Sequence, residues 1–405
     1  MLANLPAYAS PALLLTPGDE AFYRLPTHNL RHPLIFYYAH PAVLYINKLR
    51  VAGLLSQGVN EHFESIFEVG VDEMSWDDLS KNEESWPSVA AVNAYRRLVF
   101  VVVQNVIERH GCFEELAHAG EPSAHPSWSL FMAFEHERIH LETSSVLIRE
   151  LPLRLVSPPS EWPPPHESAL QPRGGVTHMP VKGTHYPANS LLAQPGGEVR
   201  LGKDAGDPFF GWDNEYGARV LQVGPFSATK LMVSNAEFYL FVRDLGYHEP
   251  SWWSEEGWKW RSFRNAKQPP FWVSEGPAGL HRYALRLLFH LVTMPWALPC
   301  LVNMHEARAY AAWRASRDGL VPGSLRLLTE PEHHLLRDRT VGATHNVSLA
   351  FGSECDVDAL PTAKSSGVHD AMGNVWCWCE DHFSALPGFT VSRLYEGAWS
   401  ALVDA

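Results

Sequence analysis

A chain of 405 residues, 46% apolar and 19% charged, is long enough for two cores and has the balance of a folded globular protein. Its formal charge of −13, with no compensating Lys/Arg run, argues against a nucleic-acid partner, and no apolar run reaches the roughly 18 residues of a membrane span. Five irregularly spaced cysteines do not suggest a disulfide framework, and the N-terminus lacks the basic lead of a signal peptide, so a cytoplasmic protein with reduced thiols is expected.

In chain order, residues 33–56 predict a helix apolar on most of its circumference, as in the middle of a bundle. Residues 87–109 predict a second long helix with Pro87 at its first turn, and residues 126–150 a third. Together they point to a helical bundle over residues 20–156. The segment "SPPSEWPPPHESALQPRGG", residues 157–175, is rich in proline and ends on two glycines, which predicts an extended linker.

Beyond it the texture changes, and residues 176–405 read as a second domain. Most of the 15 tryptophans fall here, among short β-prone runs such as "ARVLQVGPFSATKLMVS" and helical pieces at 234–245 and 304–317. That is the pattern of an irregular α+β domain. Residues 371–379, "AMGNVWCWC", predict a turn at Gly373-Asn374 followed by an aromatic strand, with Trp376 and Trp378 in the core. The C-x-C pair Cys377/Cys379 is too weak a signal for a metal site. The sequon Asn346-Val347-Ser348 carries little meaning without a secretion signal.

The chemistry concentrates in His136-Glu137-Arg138-Ile139-His140. On a helix, His136 and His140 lie one turn apart on one face and can reach a single ion. A third ligand can come from another helix of the bundle, and His40, in the apolar run "FYYAHPAV", is the candidate. Three neutral imidazoles suit Fe(II), Zn(II) or Cu(II) alike. The rival reading is a zinc hydrolase with Glu137 as general base and a downstream ligand, for which only Glu161 and His166 in the proline-rich segment are available. Arg96 and Arg97, on the second helix, are candidates for holding a substrate carboxylate, against the alternative of a solvated helix face.

The segments "RHPLIFYYAHPAVLYINKL", "FEVGVDEMSWDDL", "FEHERIHLETSSVLIRELP", "DNEYG", "MPWALP", "LTEPE" and "DAMGNVWCWCEDHF…LPGF" together resemble the sulfoxide synthases of thiohistidine biosynthesis, from about residue 25 to about residue 395. The likeness is to the ovothiol-pathway branch, whose enzymes form 5-histidylcysteine sulfoxide, ahead of the ergothioneine-pathway branch, whose enzymes act on trimethylhistidine. It implies a DinB-like four-helix bundle followed by a formylglycine-generating-enzyme-like domain of C-type-lectin type. It also implies a non-haem Fe(II) held by His40, His136 and His140, dioxygen as co-substrate, cysteine and histidine as small-molecule substrates, and Glu137 outside the ligand set. A tyrosine of the second domain steers coupling over thiol dioxygenation in this family, and Tyr395 in "SRLYEGAWS" is the matching position. Asp213-Asn214-Glu215 matches a fold-anchoring turn, while Asp72, Glu73 and Trp76 match a family segment whose chemistry is unassigned.

The chain departs from the family at its end. No methyltransferase domain follows, and "EGAWSALVDA" stands where the family continues with a Gly-Gly-Ser-Trp-like strand. The expectation is a truncated reading frame, an incomplete lectin-like domain with exposed apolar surface, and an inactive homologue as one outcome. The sequence specifies no oligomeric state.

Overall fold

The computed structural model describes residues 19–27, 31–68, 86–110, 120–277, 279–340, 344–362 and 365–395. The family segment bearing Asp72, Glu73 and Trp76 and the terminal "EGAWSALVDA" lie outside them. The chain forms two compact units, one of Met1–Ser160, Gly202–Arg219 and Ala385–Ala405, the other of Glu161–Leu201 and Val220–Ser384.

The first unit holds α1 (Glu20–Tyr23), α2 (Leu34–Val51), α3 (Glu61–Ile66), α4 (Val89–His110) and α5 (Trp128–Glu150). The three long helices fall where apolar periodicity placed them. α2 is central, packing against both α4 and α5. Ile35, Ala39, Val43, Ile46 and Leu49 are fully buried, and Leu34, Tyr37 and Tyr38 bury much of the remaining circumference. α4 turns Val92, Tyr95, Val99, Val103 and Val106 inward at helical spacing. The entry to α3 is fixed by Asn60, whose side chain accepts from the Phe63 amide. Among the described residues no fourth helix of comparable length completes a bundle.

Two later segments return to this unit. Residues 202–219 carry a one-turn 3₁₀ helix at Asp213–Glu215, and residues 385–395 end in another at Arg393–Tyr395. They are tied together where the Ala218 amide donates to the Pro387 carbonyl at 3.0 Å and the Ser392 amide donates to Asp213 Oδ2 at 3.0 Å. Asp213 and Glu215 thus do the structural work expected of "DNEYG", Glu215 accepting from the Trp212 amide at 2.7 Å. A boundary at 157–175 followed by one continuous domain misses this return, because short loop segments carry no periodicity that reveals where they pack.

Gly217 makes that junction possible. Its φ is +100°, and a Cβ there would sit 2.7 Å from the Pro387 carbonyl oxygen. Gly217→Ala is expected to destabilise the first unit by about 1–3 kcal/mol, read as a lower denaturant midpoint, whereas an unchanged midpoint would refute the constraint.

The second unit pairs β1 (Leu191–Gln194) with β4 (Phe226–Thr229), and β2 (Gly197–Leu201) with β3 (Arg219–Val223), and forms a three-stranded antiparallel sheet of β5 (Trp272–Ser274), β6 (Tyr283–Arg286) and β7 (Leu291–Thr293). Around these lie α6 (Glu167–Leu170), α7 (Asn235–Arg243), α8 (Glu255–Arg264), α9 (Met304–Arg317) and α10 (Glu330–Asp338). α7 and α9 are the helical pieces expected at 234–245 and 304–317, and both begin with capping boxes, at Ser234/Glu237 and Asn303/Glu306. The core is aromatic, with Phe238, Phe241, Tyr247, Trp272 and Trp296 buried together.

Three sequence expectations are corrected here. The proline-rich segment is not a free linker: it carries α6, Ala169 is fully buried in the aromatic core, and Arg173 pairs with Asp358 at 2.6 Å. Residues 371–379 form the predicted left-handed turn, with φ +82° at Gly373 and +62° at Asn374, but no strand follows it. Trp376 and Trp378 are then 74% and 51% exposed instead of buried, and among the described residues no strand pairs with the segment. The sequon residue Asn346 is engaged internally, its amide donating to the Ser353 carbonyl at 3.0 Å. Cys300, Cys355, Cys377 and Cys379 are free thiols. No described helix is long and apolar enough to cross a membrane.

Candidate metal centre

α2 and α5 cross in the first unit so that His40 faces His136 and His140. Nε2 of His136 lies 3.2 Å from Nε2 of His40 and 3.0 Å from Nε2 of His140. Among the described residues this is the one group of three metal-ligating side chains found, with ligand atoms all within 4.8 Å of one another. The three residues are those the sequence nominated.

His40 Nδ1 lies 2.6 Å from the Phe67 carbonyl oxygen. A carbonyl can only accept, so Nδ1 carries the proton and Nε2 presents its lone pair. Nδ1 of His136 and of His140 is buried without a hydrogen-bond partner among the described residues. Burial is the main cause that lowers all three basicities, His40 to about 4, His140 to about 3 and His136 well below its ordinary value. The rings are therefore neutral at neutral pH, the state that binds a metal.

These features test whether an ion fits. His40 Nε2 can only accept, and one proton on a neutral ring can serve only one of the two contacts that His136 Nε2 makes, so hydrogen bonding alone leaves one contact between bare nitrogens or without a partner. An ion about 2.1 Å from two nitrogens holds them about 3.0 Å apart at a right angle and about 3.4 Å at the tetrahedral angle. Both spacings from His136 fall in that interval, and the three ligand atoms lie within 4.8 Å of one another, so a single divalent ion suits the three residues.

The surround is apolar and aromatic. The Phe36 ring stacks on His40 with centroids 5.0 Å apart, and the Tyr37 ring lies 5.8 Å from His140. Pro41 follows His40 inside α2, where it removes one backbone donor from the helix.

Glu137 points to different neighbours. Tyr45 donates its hydroxyl to one carboxylate oxygen at 3.1 Å, and the Arg96 guanidinium lies 3.4 Å from the other. Arg96 also donates to the Tyr38 carbonyl at 2.6 Å and stacks over the Tyr38 ring at 4.8 Å. Arg96 is thus engaged with the protein, and Arg97 is exposed on α4. The downstream candidate of the hydrolase reading, His166, belongs to the second unit, where it caps α6 and bonds Ser168 at 2.8 Å.

Tyr395 belongs to the first unit, not the second. Leu394 beside it is 3% exposed against Trp128 and Met132 of α5, which carries that turn of chain into the helical unit. Sequence reasoning passed over Tyr45 and Lys48. Lys48, eight residues beyond His40, shares its helical stripe, which is the signal that could have found it, whereas Tyr45, five residues on, lies on another face and is reached through Glu137.

Without metal, the triad gives stability a pH dependence. Unfolded histidines take up protons below about pH 6.5, while the folded rings resist, so the unfolded state binds more protons and stability is lost as pH is lowered. From about pH 7.5 to pH 4.5 the metal-free protein is expected to lose on the order of 2 kcal/mol per resisting ring, less in a His136→Gln variant. An equal loss in both proteins, by denaturant titration, would contradict it.

Comparison with known proteins places these observations. Residues 178–336 match the sulfatase-modifying factor enzyme 1-like domain. The chain is 30% identical over 292 residues to hercynine oxygenase of Mycolicibacterium smegmatis, covering 68% of this chain and 60% of that protein. It is 27% identical over 410 residues to ergothioneine biosynthesis protein 1 of Neurospora crassa, covering 89% of this chain and 43% of that protein. A formylglycine-generating enzyme of Thermomonospora curvata is 24% identical, over 51% of this chain and 76% of its own length. The chain thus spans about three fifths or less of the two longer relatives. The chain is thus similar to hercynine oxygenase and ergothioneine biosynthesis protein 1, and it matches the sulfatase-modifying factor enzyme 1-like domain over residues 178–336.

Proposed function

We propose that this protein is an oxygen-dependent, non-haem iron sulfoxide synthase that joins the sulfur of L-cysteine to imidazole C5 of L-histidine. The observation that carries this reading is the convergence of His40, His136 and His140, from two helices, in a homologue of hercynine oxygenase. The helical unit is then the DinB-like half of the fold and the second unit the lectin-type half. Bound by the three histidines, Fe(II) supplies the centre at which a thiolate and dioxygen react.

The stoichiometry needs no further reductant. Dioxygen accepts four electrons, two as the imidazole C–H and the thiol S–H give way to a C–S bond and two as sulfur becomes a sulfoxide, and one oxygen atom leaves as water. The protein's residues supply order. His40, locked by the Phe67 carbonyl, keeps one tautomer. Phe36 and Tyr37 keep water from the ligand side, which limits stray thiol oxidation. Glu137, held by Tyr45 and Arg96, acts outside the ligand set, so the metalloprotease pattern misleads here. A substrate carboxylate would have to displace Glu137 to reach Arg96, whereas Arg97 stands open. Tyr395 is assigned the steering of coupling over dioxygenation.

The choice of histidine over trimethylhistidine rests on the sequence segments that resemble the ovothiol-pathway branch. The names of the relatives favour the second reading, an ergothioneine-type synthase acting on trimethylhistidine. Competition decides between them: protein loaded with Fe(II) receives cysteine, air and equal histidine and trimethylhistidine, with products read by mass spectrometry. A dominant histidine conjugate supports the proposal, and a dominant trimethylhistidine conjugate replaces it with the second reading.

A further inference from the structure

We propose that Lys48 is the positioning residue for Tyr395, docking the Arg393–Tyr395 turn onto the helix that carries His40. The inference rests on the reading of Tyr395 given above and adds a residue to it. Lys48 stands on α2 eight residues beyond His40, about 12 Å along the helix axis. Its ammonium donates to the Leu394 carbonyl at 2.8 Å and lies 4.8 Å from the centre of the Tyr395 ring. One side chain therefore grips both the backbone and the ring of the same turn.

The grip comes from two sides. Leu394 is buried against Trp128 and Met132, which precede His136 on α5 by two turns and one turn. The Trp212 ring also lies beside that of Tyr395, tilted by 34° with centroids 6.5 Å apart. The turn is thus fixed to both helices that supply metal ligands, by apolar burial on α5 and by a cation on α2. A lysine ammonium is ordinarily strongly hydrated, so placing it on a carbonyl and a ring face exchanges water for a directional contact.

The test uses the full chain, iron-loaded, as wild type, Lys48→Met, Lys48→Arg and Tyr395→Phe. Two quantities are read beside iron content: hydrogen exchange of the peptide spanning residues 389–395, and the ratio of coupled sulfoxide to cysteine sulfinate. Lys48→Met is expected to speed exchange in that peptide about tenfold, the scale of a lost cation–ring and carbonyl contact. It should also raise the sulfinate share in the direction that Tyr395→Phe does, at unchanged iron content. Lys48→Arg, which keeps the cation, should restore both.

Unchanged exchange in Lys48→Met would overturn the proposal whatever the products. So would faster exchange with an unaltered product ratio, where Tyr395→Phe does alter it. If wild type forms no coupled product, the function reading fails separately, and the exchange result alone decides whether Lys48 holds the turn.

Discussion

His40→Ala is expected to reduce iron binding by about a hundredfold or more and to take coupling below detection. The reason lies in the ligand count. His136 and His140, one turn apart on α5, present two nitrogens 3.0 Å apart, and the third comes only from α2. Two imidazoles leave a divalent ion held mostly by water. The substitution also frees the Phe67 carbonyl, which accepts from Nδ1. Fold loss is a separate matter, because His40 sits among Phe36, Phe67 and Trp86, whose rings pack without it. Circular dichroism of the variant should therefore match wild type while iron titration fails. The zinc-hydrolase reading makes the opposite prediction: His40→Ala keeps its metal, and Glu137→Gln abolishes activity.

The second large effect concerns the other unit. Trp296→Ala should destabilise it by about 3–5 kcal/mol, the range for removing a buried Trp or Phe side chain. Trp296 is 1% exposed, its ring lies 4.9 Å from that of Tyr239, and its Nε1 donates to the Thr177 carbonyl at 2.8 Å. Truncation removes the packing and leaves the Thr177 carbonyl without this donor. Denaturant titration followed by tryptophan fluorescence measures this directly. A loss under about 1 kcal/mol would show that the cavity collapses and that the core is not organised around this ring.

How much of this was legible in the sequence follows from period and length. The long helices were, because α2, α4 and α5 each hold enough turns for their apolar stripe to stand out, and Pro87 marks the start of α4. The two-histidine pair on α5 was equally plain, since its spacing is a property of one helix. His40 could be nominated only because its helix was already read as buried in the same bundle.

What escaped were features set by distant chain segments. Nothing in "SRLYEGAWS" says that Leu394 packs on Trp128 and Met132, so Tyr395 was placed in the wrong unit. Nothing in the proline-rich segment announces that Ala169 enters an aromatic core. The aromatic run at Val375–Trp378 has the composition of a strand, but a strand exists only where a neighbour pairs with it, and no described strand does so. Trp376 and Trp378 are accordingly exposed in place of entering the core. An arginine on a helix looks available as a substrate anchor in sequence, yet Arg96 is engaged by Glu137 and the Tyr38 carbonyl.

The most direct test of a three-histidine iron site that couples sulfur to imidazole uses oxygen-18 gas. Protein reconstituted with Fe(II) under anaerobic conditions receives cysteine and histidine, then labelled dioxygen, and the products are weighed by mass spectrometry. The account predicts a single coupled cysteine–histidine product whose sulfoxide oxygen carries the label. Labelled cysteine sulfinate alone, or no oxygen uptake by folded, iron-loaded protein, would contradict it.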